Sequence, residues 1–177
     1  FGDEKACGQV KYVGGYVSKI KERNEDQFVW MSEDAGADEQ RGTMMAGTLF
    51  TKGPWSIGAF EYYTEDILNI FYAETTRRWE LGESWGLALR AQFSDQQSVG
   101  DNALTGSSFH TSQGGVALDV SFRNAVLTTA FTSTDADKDM INPWSSYPGF
   151  TSCQVRDFNR AGEDALMFKL SYDFKRF

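Results

Sequence analysis

The chain has 177 residues, which is enough for one domain. Its formal net charge of −8 and sequence pI of about 4.7 argue against nucleic acid as a partner, because phosphate binding requires a basic surface. The mean hydropathy is −0.44 and no run approaches the ~18 apolar residues of a transmembrane helix, which excludes a helical membrane protein. Spanning β-strands need only about 9–11 residues each, half of which can be polar, so they are not excluded.

Alternation of apolar and polar residues is the main repeating pattern, and it predicts eight β-strands. Four candidates, near residues 8–20, 41–52, 55–66 and 69–80, alternate weakly, and their faces stay ambiguous. The fifth strand alternates strictly and places Trp85, Leu87, Leu89, Ala91 and Phe93 on one face. A sixth repeats the pattern with Val116, Leu118, Val120 and Phe122, a seventh lies near 126–134, and the last carries Leu166, Phe168, Leu170, Tyr172 and Phe174. The fold class predicted from this pattern is all-β.

The connections between these strands differ in length in a regular way. Long polar stretches follow the first, fifth and seventh strands, at residues 21–40, 98–109 and 135–162. Short connections follow the second, fourth and sixth strands, at residues 52–54, 80–84 and 123–124. The short link near Asp66 is the one exception. Because alternate connections of an up-and-down sheet lie on the same side, one rim carries tight turns and the other carries long loops, as in a transmembrane β-barrel.

Aromatic residues are concentrated at the rim with the short turns. They begin or end the second, third, fourth, fifth, sixth and eighth strands, as Phe50, Trp55, Trp79, Trp85, Phe122 and Phe174. Aromatic side chains form girdles where a barrel meets the water–lipid boundary, so this placement favours a barrel in the bacterial outer membrane with the lipid bilayer as its partner.

The segment 142–164, including Tyr147–Gly149 and Asp157–Glu163, resembles the C-terminal region of OprD-family porins. Tyr72–Glu74, followed by Trp79, is similar to the same family, and the resemblance covers about residues 41–177. It implies an antiparallel up-and-down barrel of eighteen strands, of which this chain supplies about eight. We therefore expect residues 1–177 to be a single barrel segment, the C-terminal part of a longer porin whose N-terminal strands complete the pore. The acidic start, Phe1–Lys5, lacks the features of a signal peptide and agrees with this expectation.

The resemblance also implies passive, partly selective diffusion of small carboxylate-bearing solutes, such as amino acids, along a ladder of basic side chains. Guanidinium groups bind carboxylates in a fork, and charges that line a pore set its ion preference. Five basic residues are candidates for solute contact, because strand alternation places them on the face away from lipid or because they lie in the segment that leads into the last strand. They are Arg90, Arg123, Arg156, Arg160 and Lys169. The resemblance leaves both a monomer and a homotrimer open.

No pattern in the sequence supports an enzyme, a cofactor or a bound metal. His110 is the only histidine, and no alternating face presents it beside a carboxylate and a nucleophile. The segment 135–139 lacks the central Gly and closing Glu of a calcium loop. We also expect Cys7 and Cys153 to be unpaired, because the two rims are roughly 25 Å apart and a disulfide requires Cα atoms within about 7 Å.

Two alternatives remain open on the sequence alone. A complete eight-stranded outer-membrane barrel with an anchoring or binding role requires pairing of the first and last strands. A soluble carbohydrate-binding or hydrolytic β-sandwich requires a core, and it would bury the six residues Leu87, Leu89, Leu118, Val120, Phe168 and Leu170, whereas a barrel turns them outward.

Overall fold

The computed structural model describes residues 8–22, 25–144 and 148–174. Eight strands form one antiparallel sheet: β1 (Gln9–Val17), β4 (Thr43–Lys52), β5 (Trp55–Thr64), β6 (Leu68–Leu81), β7 (Trp85–Gln97), β8 (His110–Phe122), β9 (Ala125–Thr134) and β10 (Asp164–Tyr172). A small hairpin of β2 (Lys19–Ile20) and β3 (Val29–Trp30) is followed by the single-turn helix α1 (Met31–Asp34). Within the described ranges, no helix has the length and apolar character needed to cross a lipid bilayer.

The strands follow one another around the sheet in chain order. Each pairs antiparallel with its neighbour, which confirms the predicted all-β up-and-down architecture. Across the part of the chain that is described, β1 pairs only with β4 and β10 only with β9, so the sheet is open at both edges. The alternative of a closed eight-stranded barrel is therefore wrong for this structure, because its first and last strands do not meet.

Alternation gives the sheet two chemically different faces. We define the outer face as the one that carries Leu89, Leu118 and Phe168, and the inner face as the one that carries Arg90 and Asp119. Leu89, Leu118, Phe168 and Leu170 are 48%, 41%, 68% and 75% exposed, and Leu87 and Val120 are partly exposed. None of the six is buried, so the β-sandwich alternative is wrong, and the outer face is an uncovered apolar surface.

The aromatic residues at the short-turn rim lie on the outer face. Trp85 and Phe122 are opposite each other on β7 and β8, with ring centroids 4.5 Å apart. Tyr172 and Phe174 contact edge to face, with centroids 4.8 Å apart. Phe50 also faces outward, opposite Ile57. This arrangement is the aromatic girdle expected where a barrel leaves the lipid.

The most completely buried apolar cluster lies at the long-loop end, beside the sheet. It contains Ala37, Ile67, Leu68, Ile70 and Phe109. The short link between β5 and β6 lies at its centre, and Ile67 is fully buried there. Asp66 accepts a hydrogen bond from the backbone N–H of Ala103 through its carbonyl oxygen at 2.8 Å. The short link between β5 and β6 at the long-loop rim is thus covered by the neighbouring long loops.

Cys153 is free and exposed. Cys7 lies outside the described residues, so its predicted lack of a partner stays a prediction.

Candidate functional site

The inner face of β6–β9 is polar and largely covered. Its buried polar side chains include Thr76, Gln92, Ser94, Gln96, Thr111, Gln113, Thr128 and Thr132. Buried polar groups are costly unless they are hydrogen-bonded, so a face of this composition requires either water or a polar cover. Residues 135–144 and 148–163, which we call the inner loop, supply that cover.

Hydrogen bonds fasten the inner loop to three strands. The Gln96 amide forms two bonds with Ile141, donating to its carbonyl oxygen and accepting from its N–H, each 2.8 Å long. Gln113 donates through Nε2 to the carbonyl oxygen of Phe158 at 3.0 Å. Two hydroxyl contacts complete the attachment, Thr111 to the carbonyl oxygen of Lys138 at 2.7 Å and Thr132 to the Thr151 hydroxyl at 2.6 Å. The inner loop therefore lies across the inner face instead of projecting from the rim.

Arg90 lies where the inner loop crosses β7. Its Nε is 3.1 Å from Asp119 Oδ2, and its Nη2 donates to Oδ1 at 3.2 Å. The Thr128 hydroxyl donates to the same Oδ1 at 2.6 Å. The Phe150 ring of the inner loop covers the guanidinium, with its centroid 4.8 Å from Cζ. The predicted candidate Arg90 is thus on the inner face, in a fixed position.

Lys169 is also on the inner face, as strand parity predicts. It lies opposite Thr128, which lies opposite Asp119, so the three residues form a row across β10, β9 and β8. Lys169 is exposed, and no ion pair joins it to another group of the described residues.

Arg123 is not on the inner face, and its assignment by strand parity is wrong. The chain leaves β8 at Phe122, and Arg123 adopts a φ of 51° in the turn to β9. Its backbone N–H donates to the carbonyl oxygen of Ser84 at 2.9 Å. Its guanidinium Cζ lies 5.2 Å from the centroid of Phe122, a ring of the outer girdle. Alternation does not extend into a turn with a left-handed residue, which is the reason for the difference.

Arg156 and Arg160 meet around one carboxylate of the inner loop. Arg156 Nη2 is 2.8 Å from Glu163 Oε1, and its Cζ is 5.2 Å from the Phe158 ring centroid. Arg160 donates through its backbone N–H to Glu163 Oε2 at 3.1 Å, and its side chain is exposed. The structure thus brings Arg156 and Arg160 together, and among the described residues no hydrogen bond or ion pair joins either of them to Arg90.

Arg78 is an inner-face cation that the sequence reasoning missed. It lies opposite Ala88, which lies opposite Asp119, and its side chain is exposed. The faces of β6 were ambiguous because Arg77 and Arg78 are adjacent and either parity fitted. Trp79 was the available signal, since a girdle tryptophan faces outward and its neighbour must then face inward.

A cavity of about 600 Å³ lies between the inner loop and the inner face of β5–β7. Its walls include four aromatic residues, Phe60, Tyr62, Tyr72 and Trp144. Trp144 reaches it from the inner loop, packs with its centroid 5.7 Å from that of Tyr62, and donates through Nε1 to the Met31 carbonyl oxygen at 3.0 Å. Its main charged group is Glu74, which accepts a hydrogen bond from the Tyr72 hydroxyl at 2.8 Å.

A groove of about 580 Å³ lies in the segment around α1, and most of the residues that line it are acidic. They are Glu22, Glu25, Asp26, Glu33 and Asp34, with Gln27 and Val29. Burial raises the pKa of Asp34, and the nearby Glu22 carboxylate raises it further. Across the described ranges, no group of three or more acidic, histidine or cysteine side chains is arranged to hold a metal ion.

His110 lies beside a carboxylate at the edge of the sheet. Its Nε2 is 2.8 Å from Asp95 Oδ2, and both residues are on the outer face at the long-loop rim. In the described structure the hydrogen-bond partner of this histidine is Asp95, and no hydroxyl or thiol nucleophile is hydrogen-bonded to it.

Comparison with known proteins agrees with the resemblance seen in the sequence. Residues 5–177 match the family described as "outer membrane porin, OprD family". No curated protein matches the chain.

Solved porin structures share the fold. OccK9 (OpdG) of Pseudomonas aeruginosa is 19% identical, with a TM-score of 0.81 over 93% of this chain and 43% of that one. OccAB3 of Acinetobacter baumannii is 11% identical, with a TM-score of 0.80 over 94% and 43% of the two chains. P. aeruginosa OccK2 (OpdF), solved in complex with glucuronate, is 14% identical, with a TM-score of 0.80 over 93% and 45%. The chain spans less than half the length of these porins.

Proposed function

Because this chain belongs to the OprD family of outer membrane porins, we propose that its sheet forms part of the wall of a water-filled channel for small carboxylate-bearing solutes, including amino acids. Its location is the bacterial outer membrane, and the family consists of porins and not of enzymes, as predicted from the sequence. The charged groups of the inner face support this solute class.

Further strands would complete the channel wall at the two open edges. Within the described ranges, β1 and β10 each carry an unpaired row of backbone N–H and C=O groups on one side. Such edges cannot face lipid, because every unsatisfied backbone group there is costly. We therefore propose that strands of the same parent protein, N-terminal to this segment, pair with β1 and β10, and that lipid covers the outer face.

The observation that carries the solute class is the fixed position of Arg90 on the inner face. Asp119 holds the guanidinium from one side and Phe150 covers it. Lys169, which has an exposed ammonium group, is on β10, three strands away, or about 14 Å at the usual strand spacing. Arg78 provides another exposed cation on β6. A carboxylate that leaves one of these cations is thus close to the next one. Conduction requires several weak binding sites in succession, so that a solute can both enter and leave, and this spacing of cations provides them.

Glu74 gives the same surface a site for an ammonium group. It lies opposite Gln92, two residues along β7 from Arg90, so the two charges are diagonal neighbours about 7–8 Å apart at Cα. An amino acid carries both charges and can contact Arg90 and Glu74 together. The glucuronate bound to OccK2 also carries a carboxylate, which supports the broader solute class.

The test is a comparison of glucuronate and glucose entry into liposomes that contain the complete porin. These solutes differ mainly by one carboxylate, so their ratio isolates the effect of charge. We expect glucuronate to enter several-fold faster than glucose, and Lys169→Gln or Arg90→Gln to lower the glucuronate rate about fivefold while leaving the glucose rate unchanged. Lys52→Gln is the matched control, because Lys52 is an exposed cation on the outer face.

Three results would argue against the proposal. Absence of any solute entry would remove the channel function. Equal rates for glucose and glucuronate in the unchanged porin would remove the carboxylate preference. An equal loss of glucuronate entry with Lys52→Gln would indicate that surface charge, and not the inner face, determines the rate.

A further inference from the structure

Arg77 is a cation on the face of the sheet that meets lipid. It lies opposite Trp55 on β5 and opposite Leu89 on β7, and both of these residues are exposed on the outer face. Its guanidinium lies between two indole rings, with Cζ 4.9 Å from the Trp55 centroid and 4.8 Å from the Trp79 centroid. An outward-facing arginine in a membrane strand is unfavourable unless it reaches the interface.

The position of Arg77 along β6 is close to the water–lipid boundary. Trp55 begins β5 directly after the turn Gly53–Pro54, and the backbone N–H of Arg78 donates to the Pro54 carbonyl oxygen at 3.0 Å. The level of Arg77 is therefore that of the short-turn rim, within the aromatic girdle. Lipid headgroups lie at this level.

The charge of Arg77 has no partner in the described part of the protein. No carboxylate forms an ion pair with it, and its Nε is buried without a hydrogen-bond acceptor. Lys52 is the register partner of Trp55 and adds an exposed cation on the same face. Stacking orients the guanidinium but does not neutralise it, so an anion is still required.

We infer that Arg77, held between Trp55 and Trp79 and assisted by Lys52, binds the phosphate of an anionic phospholipid in the leaflet at the short-turn rim. A guanidinium binds two phosphate oxygens in a fork, and the indole rings contact the glycerol and upper acyl region. Two cations facing one phosphodiester favour phosphatidylglycerol over a zwitterionic lipid of the same shape. This binding site is on the opposite face from the proposed channel and does not depend on the solute.

The experiment measures lipid retained by the complete porin. The porin is assembled in nanodiscs of phosphatidylethanolamine and phosphatidylglycerol, released into detergent, and analysed by native mass spectrometry. We expect Arg77→Gln to lower phosphatidylglycerol retention about fivefold, the effect of one cation near a lipid surface. Arg77→Lys keeps the charge but lacks the fork, and it should give an intermediate loss. Arg78→Gln is the matched control, because this neighbour removes the same charge from the inner face and should retain lipid normally.

Several outcomes separate this inference from its alternatives. Equal retention by Arg77→Gln and the unchanged porin would overturn it, as would an equal loss with Arg78→Gln. Displacement of phosphatidylglycerol by millimolar inorganic phosphate alone would show that the site binds free phosphate, and this result would also overturn it. Gel mobility of unheated samples reports whether the barrel has assembled. If Arg77→Gln fails to assemble, the double variant Arg77→Lys with Lys52→Gln takes its place. Full retention of phosphatidylglycerol by this assembled double variant would contradict the inference.

Discussion

The guanidinium of Arg90 and the carboxylate of Asp119 form a two-point contact on the inner face, with Nε 3.1 Å from Oδ2 and Nη2 3.2 Å from Oδ1. The side chains are 29% and 22% exposed, so solvent screens the pair and its contribution to folding stability is small. In the proposed channel we expect its main effect to be electrostatic, because Asp119 both positions the cation and offsets its charge.

Replacing Asp119 tests this electrostatic role. Asp119→Asn keeps the shape and the contact with Thr128 but leaves the charge of Arg90 uncompensated, so we expect the anion-to-cation permeability ratio to rise about twofold to fivefold. The reversal potential of the complete porin in a salt gradient measures this ratio. Asp95→Asn removes a carboxylate from the outer face and is the control. A fall in the ratio for Asp119→Asn would contradict the prediction.

Replacing Gln96 tests the attachment of the inner loop. Gln96→Leu leaves the N–H and carbonyl oxygen of Ile141 without partners, and each such loss costs about 1–3 kcal/mol when the group stays buried. We expect the inner loop to detach locally, with larger and noisier single-channel conductance and faster proteolysis within residues 135–163. Gln97→Leu is the control, because this adjacent glutamine is exposed on the outer face. Unchanged conductance with Gln96→Leu would show that the loop does not narrow the channel.

The outer face is tested by a charge in the middle of β10. Phe168→Lys places a cation on the lipid side and should destabilise the porin by about 2–4 kcal/mol in urea unfolding from lipid vesicles. Met167→Lys introduces the same group on the inner face next to Ala130 and should cost much less. A larger loss for Met167→Lys than for Phe168→Lys would reverse our assignment of the two faces.

Asp34 gives a pH dependence to the segment around α1. Its pKa is raised by burial and by Glu22, so the folded segment binds this proton more tightly than the unfolded segment does. The resulting destabilisation is present at neutral pH and disappears as the pH falls below the ordinary pKa of an aspartate. We expect Asp34→Asn to slow proteolysis of residues 25–42 at pH 7 and to have no effect near pH 3. The measurement near pH 3 uses an acid-active protease. Asp38→Asn, exposed in the same segment, is the control. Protection by Asp34→Asn that is equal at both pH values would contradict the electrostatic cause.

The strands were predictable because alternation is a local property of the sequence. The regular spacing of Leu118 and Val120 along β8 reflects one apolar and one polar environment, and no distant contact is needed to recognise it. Face assignment failed where this local signal was weak. Arg77 and Arg78 have the same charge, so alternation alone did not separate them, and the register with Trp55 places Arg77 on the outer face.

The path of the inner loop was not predictable for a different reason. Its attachment depends on pairs such as Gln96 and Ile141, which are 45 residues apart in the sequence. Either residue alone is an ordinary strand or loop residue. Arg123 was misplaced because alternation was continued one residue too far, into a turn with a positive φ.

The attachment of the inner loop to the sheet has a consequence for how the channel responds to its surroundings. Gln96, Gln113, Thr111 and Thr132 make these contacts through neutral amides and hydroxyls, whose hydrogen bonds do not titrate near neutral pH and are hardly screened by salt. The charged groups Arg90 and Lys169 are subject to screening. In the proposed channel, a change in the ionic strength of the medium is therefore expected to alter which solutes are attracted, while the attachment of the inner loop to the sheet stays the same.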